Sequence, residues 1–95
     1  MPRDAIEMTL TPKERSLLLR YGYPFPEIQS ALQACSRSKK IETVPISRFE
    51  LEQLIGNLCY SINRAQPGKL QNELFDLCDR LEAAERYGDG GLDML

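Results

Sequence analysis

The feature that most constrains this chain is a helix-start signal that occurs twice. Thr11-Pro12-Lys13-Glu14 and Ser47-Arg48-Phe49-Glu50 each place a hydroxyl at an N-cap and a glutamate three residues later. That is the reciprocal pattern of a capping box, in which side chain and backbone satisfy each other at the helix entrance. Pro12 reinforces the first box, because a proline at N1 gives up an N–H that has no helical partner anyway. A short extended piece precedes each box: Ile6-Glu7-Met8-Thr9-Leu10 before the first, Thr43-Val44-Pro45-Ile46 before the second. The correspondence runs at one fixed spacing through Met8 and Val44, Leu10 and Ile46, Thr11 and Ser47, Glu14 and Glu50, Leu18 and Leu54, and Leu19 and Ile55. Shared capping grammar explains this match about as well as duplication does. Either way, both halves read as an extended piece followed by two helical segments. An extended piece on its own leaves backbone groups unpaired, so pairing between the two is the natural outcome. Pro45 restricts such a strand to an edge.

The helical segments follow from apolar spacing. Leu17, Leu18 and Leu19 point in three directions around a helix, so the first helix is expected to touch more than one neighbour and to end at Gly22. Pro24 and Pro26 bracket the next start, and Ile28, Ala31, Leu32 and Cys35 recur at helical spacing. Leu51, Leu54, Ile55, Leu58 and Ile62 form one apolar stripe, extended by Ala65, and mark the third helix. After the turn Gln66-Pro67-Gly68, Leu70, Leu74, Leu77, Leu81 and Ala84 mark the fourth. On the solvent side of the fourth helix, Asp76 with Arg80 and Glu82 with Arg86 have the spacing of supporting ion pairs. The expectation is an all-α fold: two helical hairpins, about four helices in a small bundle, with room for a minimal two-stranded β-ribbon from residues 6–10 and 41–46. Residues 1–87 are read as one domain. Residues 88–95, rich in glycine and aspartate, are read as a disordered tail, with a short docking peptide as the alternative.

Composition narrows the function classes. The chain has 95 residues, a formal net charge of −2 and a pI near 5.1, which gives no general attraction to nucleic acid or anionic lipid. No apolar run approaches the ~18 residues that mark a membrane helix. Met1-Pro2-Arg3-Asp4 leads into no signal-peptide core, so a cytoplasmic protein is expected. Histidine is absent, which removes any catalytic triad built on it. Most carboxylates have a cap or an ion pair to explain them, and none stands in an apolar setting that would raise its pKa toward a catalytic range. No glycine-rich phosphate loop occurs. A non-enzymatic protein without cofactor is expected. Cys35, Cys59 and Cys78 form no CxxC, and without histidine they make a poor zinc set. They read as reduced thiols behaving as small apolar groups.

Leu10-Thr11-Pro12-Lys13-Glu14-Arg15, then Gly22, Glu27-Ile28 and Leu32, loosely resemble the opening of the helix-turn-helix domain of LuxR-type bacterial response regulators. The resemblance covers only Leu10 to Leu32. It implies a DNA-binding role for the first two helices. The chain departs from the pattern where a recognition helix should stand: Gln33 to Lys40 and a Pro45-containing extended piece follow instead. Arg37, Lys39 and Lys40 are the only basic cluster that could serve a DNA reader, which needs a basic helix in the groove. As a solvated helix end, the same cluster has a simpler explanation.

The remaining signal is geometric. At 100° per residue, Phe49, Gly56, Tyr60 and Asn63 fall within a ~60° arc of the third helix, away from its leucine stripe. Phe75 lies off the stripe of the fourth helix in a similar way. This second face has two readings: it packs on the first two helices, or it meets a partner. Aromatic residues are enriched at interface cores, and a chain this short gains core by sharing it. The expected function is therefore a small protein-binding or regulatory module, homodimeric or bound to another protein through Phe49, Gly56, Tyr60, Asn63 and Phe75.

Overall fold

A computed structural model of the chain describes residues 5–88. Its elements run β1 (Ala5–Leu10), α1 (Pro12–Tyr21), α2 (Pro26–Ala34), β2 (Glu42–Ser47), α3 (Arg48–Arg64) and α4 (Lys69–Tyr87). The described residues are mostly helical, with one small two-stranded antiparallel sheet. The tail segment beyond Gly88 lies outside the described residues.

The two strands pair with each other, in a register that places Ile6 opposite Ile46, Met8 opposite Val44 and Leu10 opposite Glu42. Met8 and Val44, equivalent by sequence spacing, are thus also cross-strand partners, and a local two-fold relates β1 to β2. Alternation sends Ile6, Met8, Leu10, Val44 and Ile46 into the core and leaves Ala5, Glu7, Thr43 and Pro45 exposed. The second strand begins one residue later than the spacing predicts. Ile41 has the parity of the outward positions and is 52% exposed, so it stays outside the ribbon. Each strand of a two-stranded ribbon keeps a free edge, which is where a sheet tolerates a residue such as Pro45.

Both capping boxes form. Thr11 Oγ1 accepts from the Glu14 amide at 3.2 Å, and Glu14 Oε1 accepts from the Thr11 amide at 3.0 Å. Ser47 Oγ accepts from the Glu50 amide at 3.1 Å, and Glu50 Oε1 from the Ser47 amide at 3.0 Å. Each strand therefore runs straight into a helix through a satisfied entrance.

Two arginines fix the end of β1. Arg15, on α1, is 2% exposed. Its Nη1 donates to the carbonyls of Leu10 and Lys40 at 3.0 Å each, and its Nη2 donates to the Ser38 carbonyl at 2.8 Å. Its Nε is buried with no hydrogen-bond partner among the described residues. Arg80, expected on the solvent side of α4, instead turns inward. It donates to Glu14 Oε1 at 2.5 Å and to the Thr9 carbonyl at 2.7 Å. Glu14 thus serves as capping residue and counter-ion at once. Arg86 lies over the Tyr87 ring at 5.9 Å from its centroid and makes no ion pair with Glu82. A guanidinium over an exposed aromatic ring gains a cation–π attraction of the same order as a weak surface ion pair.

The core gathers the inward face of the ribbon and one stripe from each helix. Leu17 and Leu18 are buried, and Leu19 packs half-buried against them, so the leucine triplet does serve several directions. Leu51, Leu54, Leu58 and Ile62 are buried on α3, and Leu74, Leu77, Leu81 and Ala84 on α4. Leu70 belongs to the same spacing but sits in the first turn of α4, beyond the reach of the core, and is 37% exposed. Gly22 caps α1 in a right-handed conformation (φ −90°), so no left-handed backbone demands a glycine there. Close packing does: a Cβ would lie 2.8 Å from the Leu18 carbonyl oxygen and 3.1 Å from Leu54 Cδ2. Asn57 Nδ2 donates to the Gly22 carbonyl at 2.7 Å and Ser61 Oγ to the Tyr21 carbonyl at 3.3 Å, so α3 side chains satisfy the open end of α1.

Leu58 and Leu74 are each 0% exposed. Changing either to alanine is expected to cost ~2–5 kcal/mol, as for other fully buried leucines. Urea melts check this, and a loss below ~1 kcal/mol would place that residue outside the tightly packed core.

Candidate interaction surface

The face predicted from helical angles is open to solvent. Phe49 is 59% exposed, Tyr60 57% and Phe75 49%. Gly56 and Asn63 are exposed as well, and a Cβ on Gly56 would have nothing within 4 Å. Within the monomer this face is therefore not buried against the first two helices. The physical reason is the orientation of α3. Its leucine stripe meets both α1 and α4, and Gly22 approaches it at Leu54 rather than at Gly56. The close approach that a helical glycine permits is used, but by the glycine on α1.

The five residues do not form one patch. Phe49 stacks on Phe25, with ring centroids 6.0 Å apart and planes 5° from parallel. The pair stands over an open groove of about 510 Å³ whose apolar lining includes Ala5, Ile28, Ala31 and Pro45 and whose polar lining is Glu27, Ser47 and Glu50. This groove lies where the ends of the ribbon, α2 and α3 meet. Tyr60 faces a second groove of about 210 Å³ with Tyr21, Tyr23 and Leu70. Arg64 holds it there, with its guanidinium carbon 5.2 Å from the ring centroid and Nη1 3.1 Å from the hydroxyl. Asn63 and Phe75 border a third groove of about 220 Å³ between α3 and α4, with Cys59 and Cys78. Gly56 lines none of the three.

Phe25 and Tyr23 are functional candidates that spacing alone does not single out. Both belong to the segment joining α1 to α2, where helical periodicity is silent. Their signal is the run Tyr23-Pro24-Phe25-Pro26: the following Pro26 restricts Phe25 to extended backbone, and its φ of −60° and ψ of 158° are of that kind. Tyr23 has φ 47°, a left-handed conformation that costs an ordinary residue ~1–2 kcal/mol. The cost is borne with the ring 65% exposed, so no core contact compensates it.

Arg37, Lys39 and Lys40 are exposed and lie in the loop between α2 and β2, not on a helix. The Lys40 carbonyl anchors that loop to Arg15. The exposed positions of α2 include Glu27, Gln29, Ser30 and Gln33 and carry no cation. The outward face of the ribbon, Ala5, Glu7, Thr9, Thr43, Pro45 and Ser47, carries none either.

The thiols are placed unequally. Cys35 is half-buried, with Sγ 3.5 Å from the Ala31 carbonyl oxygen. Cys59 on α3 is exposed and Cys78 on α4 buried, yet their sulfurs are 3.9 Å apart. Burial, and then the contact with Cys59, push the Cys78 thiol up to about 12. A reading of three scattered cysteines overlooks this pair. The available signal is that Cys59 and Cys78 lie on two consecutive helices joined by the short Gln66-Pro67-Gly68 turn. Among the described residues, no group of three or more Cys, Asp or Glu is arranged to hold a metal ion, and no helix is long and apolar enough to cross a membrane. No protein-family model, curated protein or solved structure matches the chain.

The thiolate is the species that reacts with an alkylating reagent. Native protein treated with N-ethylmaleimide near neutral pH is therefore expected to lose Cys59 at least ~10-fold faster than Cys78. Peptide mass mapping over time checks this, and equal rates would contradict the burial of Cys78.

Proposed function

We propose that this protein is a small, non-enzymatic protein-binding module whose two helical hairpins, α1–α2 and α3–α4, present aromatic side chains to a second protein surface, in the first instance a second copy of the chain. The observation that carries this reading is the exposed Phe25–Phe49 stack over an apolar groove at the end of the ribbon. Two large parallel rings left in water forgo a sizeable burial gain, and contiguous apolar surface rimmed by polar residues is typical of contact sites. The exposed Tyr60, flanked by Tyr21 and Tyr23, extends the aromatic surface along α3. Tyrosine is among the residues that most often dominate interface energetics.

Duplex DNA as the partner has less to support it. The helix that would read the groove is not basic, the ribbon's outward face holds Glu7 and no cation, and the three basic residues sit in one loop. Phosphate contacts supply most of the affinity of such complexes, and this surface offers few.

Tyr60→Ala and Phe49→Ala separate folding from association. Each side chain is more than half exposed, so each variant is expected to unfold within about 1 kcal/mol of the wild type. Self-association, followed by sedimentation across a concentration range, is expected to weaken by ~10-fold or more. A wild type that stays monomeric at every concentration, or variants that associate as the wild type does, would contradict the second-copy reading. A salt-sensitive shift on duplex DNA would favour the DNA reading instead.

A further inference from the structure

We infer that Cys59 and Cys78 form a redox site: a dithiol that small-molecule disulfides of the glutathione class convert to an intramolecular disulfide clamping α3 to α4. This does not depend on the protein-binding reading. It rests on the placement of two thiols on different helices, 3.9 Å apart, in the lining of one open groove.

The geometry assigns the two sulfurs different tasks. Cys59 is exposed and is the sulfur an external disulfide can reach. Cys78 is buried directly behind it. The groove between them, of about 220 Å³ and bordered by Asn63, Phe75 and Asp79, leaves a reagent room to approach Cys59. Cys35 has no such neighbour. Its sulfur contacts the Ala31 and Leu32 carbonyls of its own helix at 3.5 and 3.6 Å.

The chemistry is two thiol–disulfide exchanges. The Cys59 thiolate attacks one sulfur of oxidised glutathione. A bond forms between Cys59 and that glutathione, and the other glutathione leaves as a thiolate. Cys78 then gives its proton to solvent and attacks the Cys59 sulfur. The Cys59–Cys78 bond forms, and the second glutathione leaves as a thiolate. Two protein thiols are oxidised and one glutathione disulfide is reduced to two thiols, so no further oxidant is needed. Burial disfavours the Cys78 thiolate, which makes the second exchange the slower one. Closing the bond from 3.9 Å to the ~2.05 Å of a disulfide brings the sulfurs ~2 Å closer together.

The product would tie residues 59 and 78 across the α3–α4 turn. A loop of that length, once closed, removes unfolded-state freedom. It would also hold Phe75, one turn before Cys78, against α3. The site would thus set the stiffness of the α3–α4 pair according to the thiol–disulfide balance around the protein.

The test uses the full chain equilibrated in glutathione buffers of decreasing reduced-to-oxidised ratio, quenched in acid, alkylated and mapped by mass spectrometry. The expected result is a monomeric product that has lost two hydrogens, contains a Cys59–Cys78 linked peptide and retains an alkylatable Cys35. Its melting temperature should rise by roughly 10 °C relative to the reduced chain. Cys78→Ser should stop at the Cys59–glutathione adduct, Cys59→Ser should take up almost no glutathione at Cys78, and Cys35→Ser should form the link as the wild type does. The inference is overturned by a wild type that halts at the Cys59 adduct, by links that involve Cys35 or join two chains, or by a Cys59–Cys78 link that appears only in denaturant.

Discussion

The pairing of β1 with β2 is the constraint on which the rest of the structure depends. Six residues of extended chain cannot satisfy their own backbone, and among the described residues each strand has only the other as a partner. The register is fixed by burial. A slip of β1 by one residue would turn Ile6, Met8 and Leu10 toward water and put Glu7 into the core. Because each strand passes directly into a capped helix, fixing the ribbon also fixes where α1 and α3 begin. The two helices then cross with Gly22 against Leu54, and α3 supplies Asn57 and Ser61 to the open end of α1.

Charge is used inside this arrangement as well as on its surface. Among the described residues, Arg15 is buried without a carboxylate in contact, and its positive charge is met by three carbonyl oxygens drawn from β1 and the loop before β2. It ties the last residue of one strand to the approach of the other. Arg80 reaches the neighbouring carbonyl of Thr9 from α4 and is balanced by Glu14. Leaving those carbonyls without donors in a low-dielectric interior would be expensive, whereas the exposed pair Lys13–Glu73 contributes little. Lys13 does lower the Glu73 carboxyl below its usual range through their hydrogen bond.

Much of the fold was legible in the chain because its signals are local. The capping boxes at Thr11 and Ser47, the leucine stripes on α3 and α4, and the alternation in both strands each depend on residues a few positions apart. The inward turn of Arg80 was not legible, since nothing in Asp76-Leu77-Cys78-Asp79-Arg80 distinguishes it from an ordinary solvent-facing pair. Its partners lie on β1 and α1, remote in sequence. Arg15 was hidden for the same reason. At the candidate surface, helical angle correctly separated Phe49, Tyr60 and Phe75 from the core stripe. It did not show that they serve three grooves, because the neighbours that divide them, Phe25, Tyr23 and the Cys59–Cys78 pair, come from other elements.

If the ribbon binds both halves of the chain into one cooperative unit, its hydrogen bonds should open only when everything opens. Native-state hydrogen exchange measures this directly, residue by residue. The central ribbon amides, those of Met8 and Val44 and their neighbours that donate across the strands, should exchange with the same opening free energy as the mid-helix amides of Leu58 and Leu77. Ribbon amides that exchange by a far cheaper local opening, while α3 and α4 stay protected, would contradict the account and reduce the fold to a helical pair with a loosely attached first half.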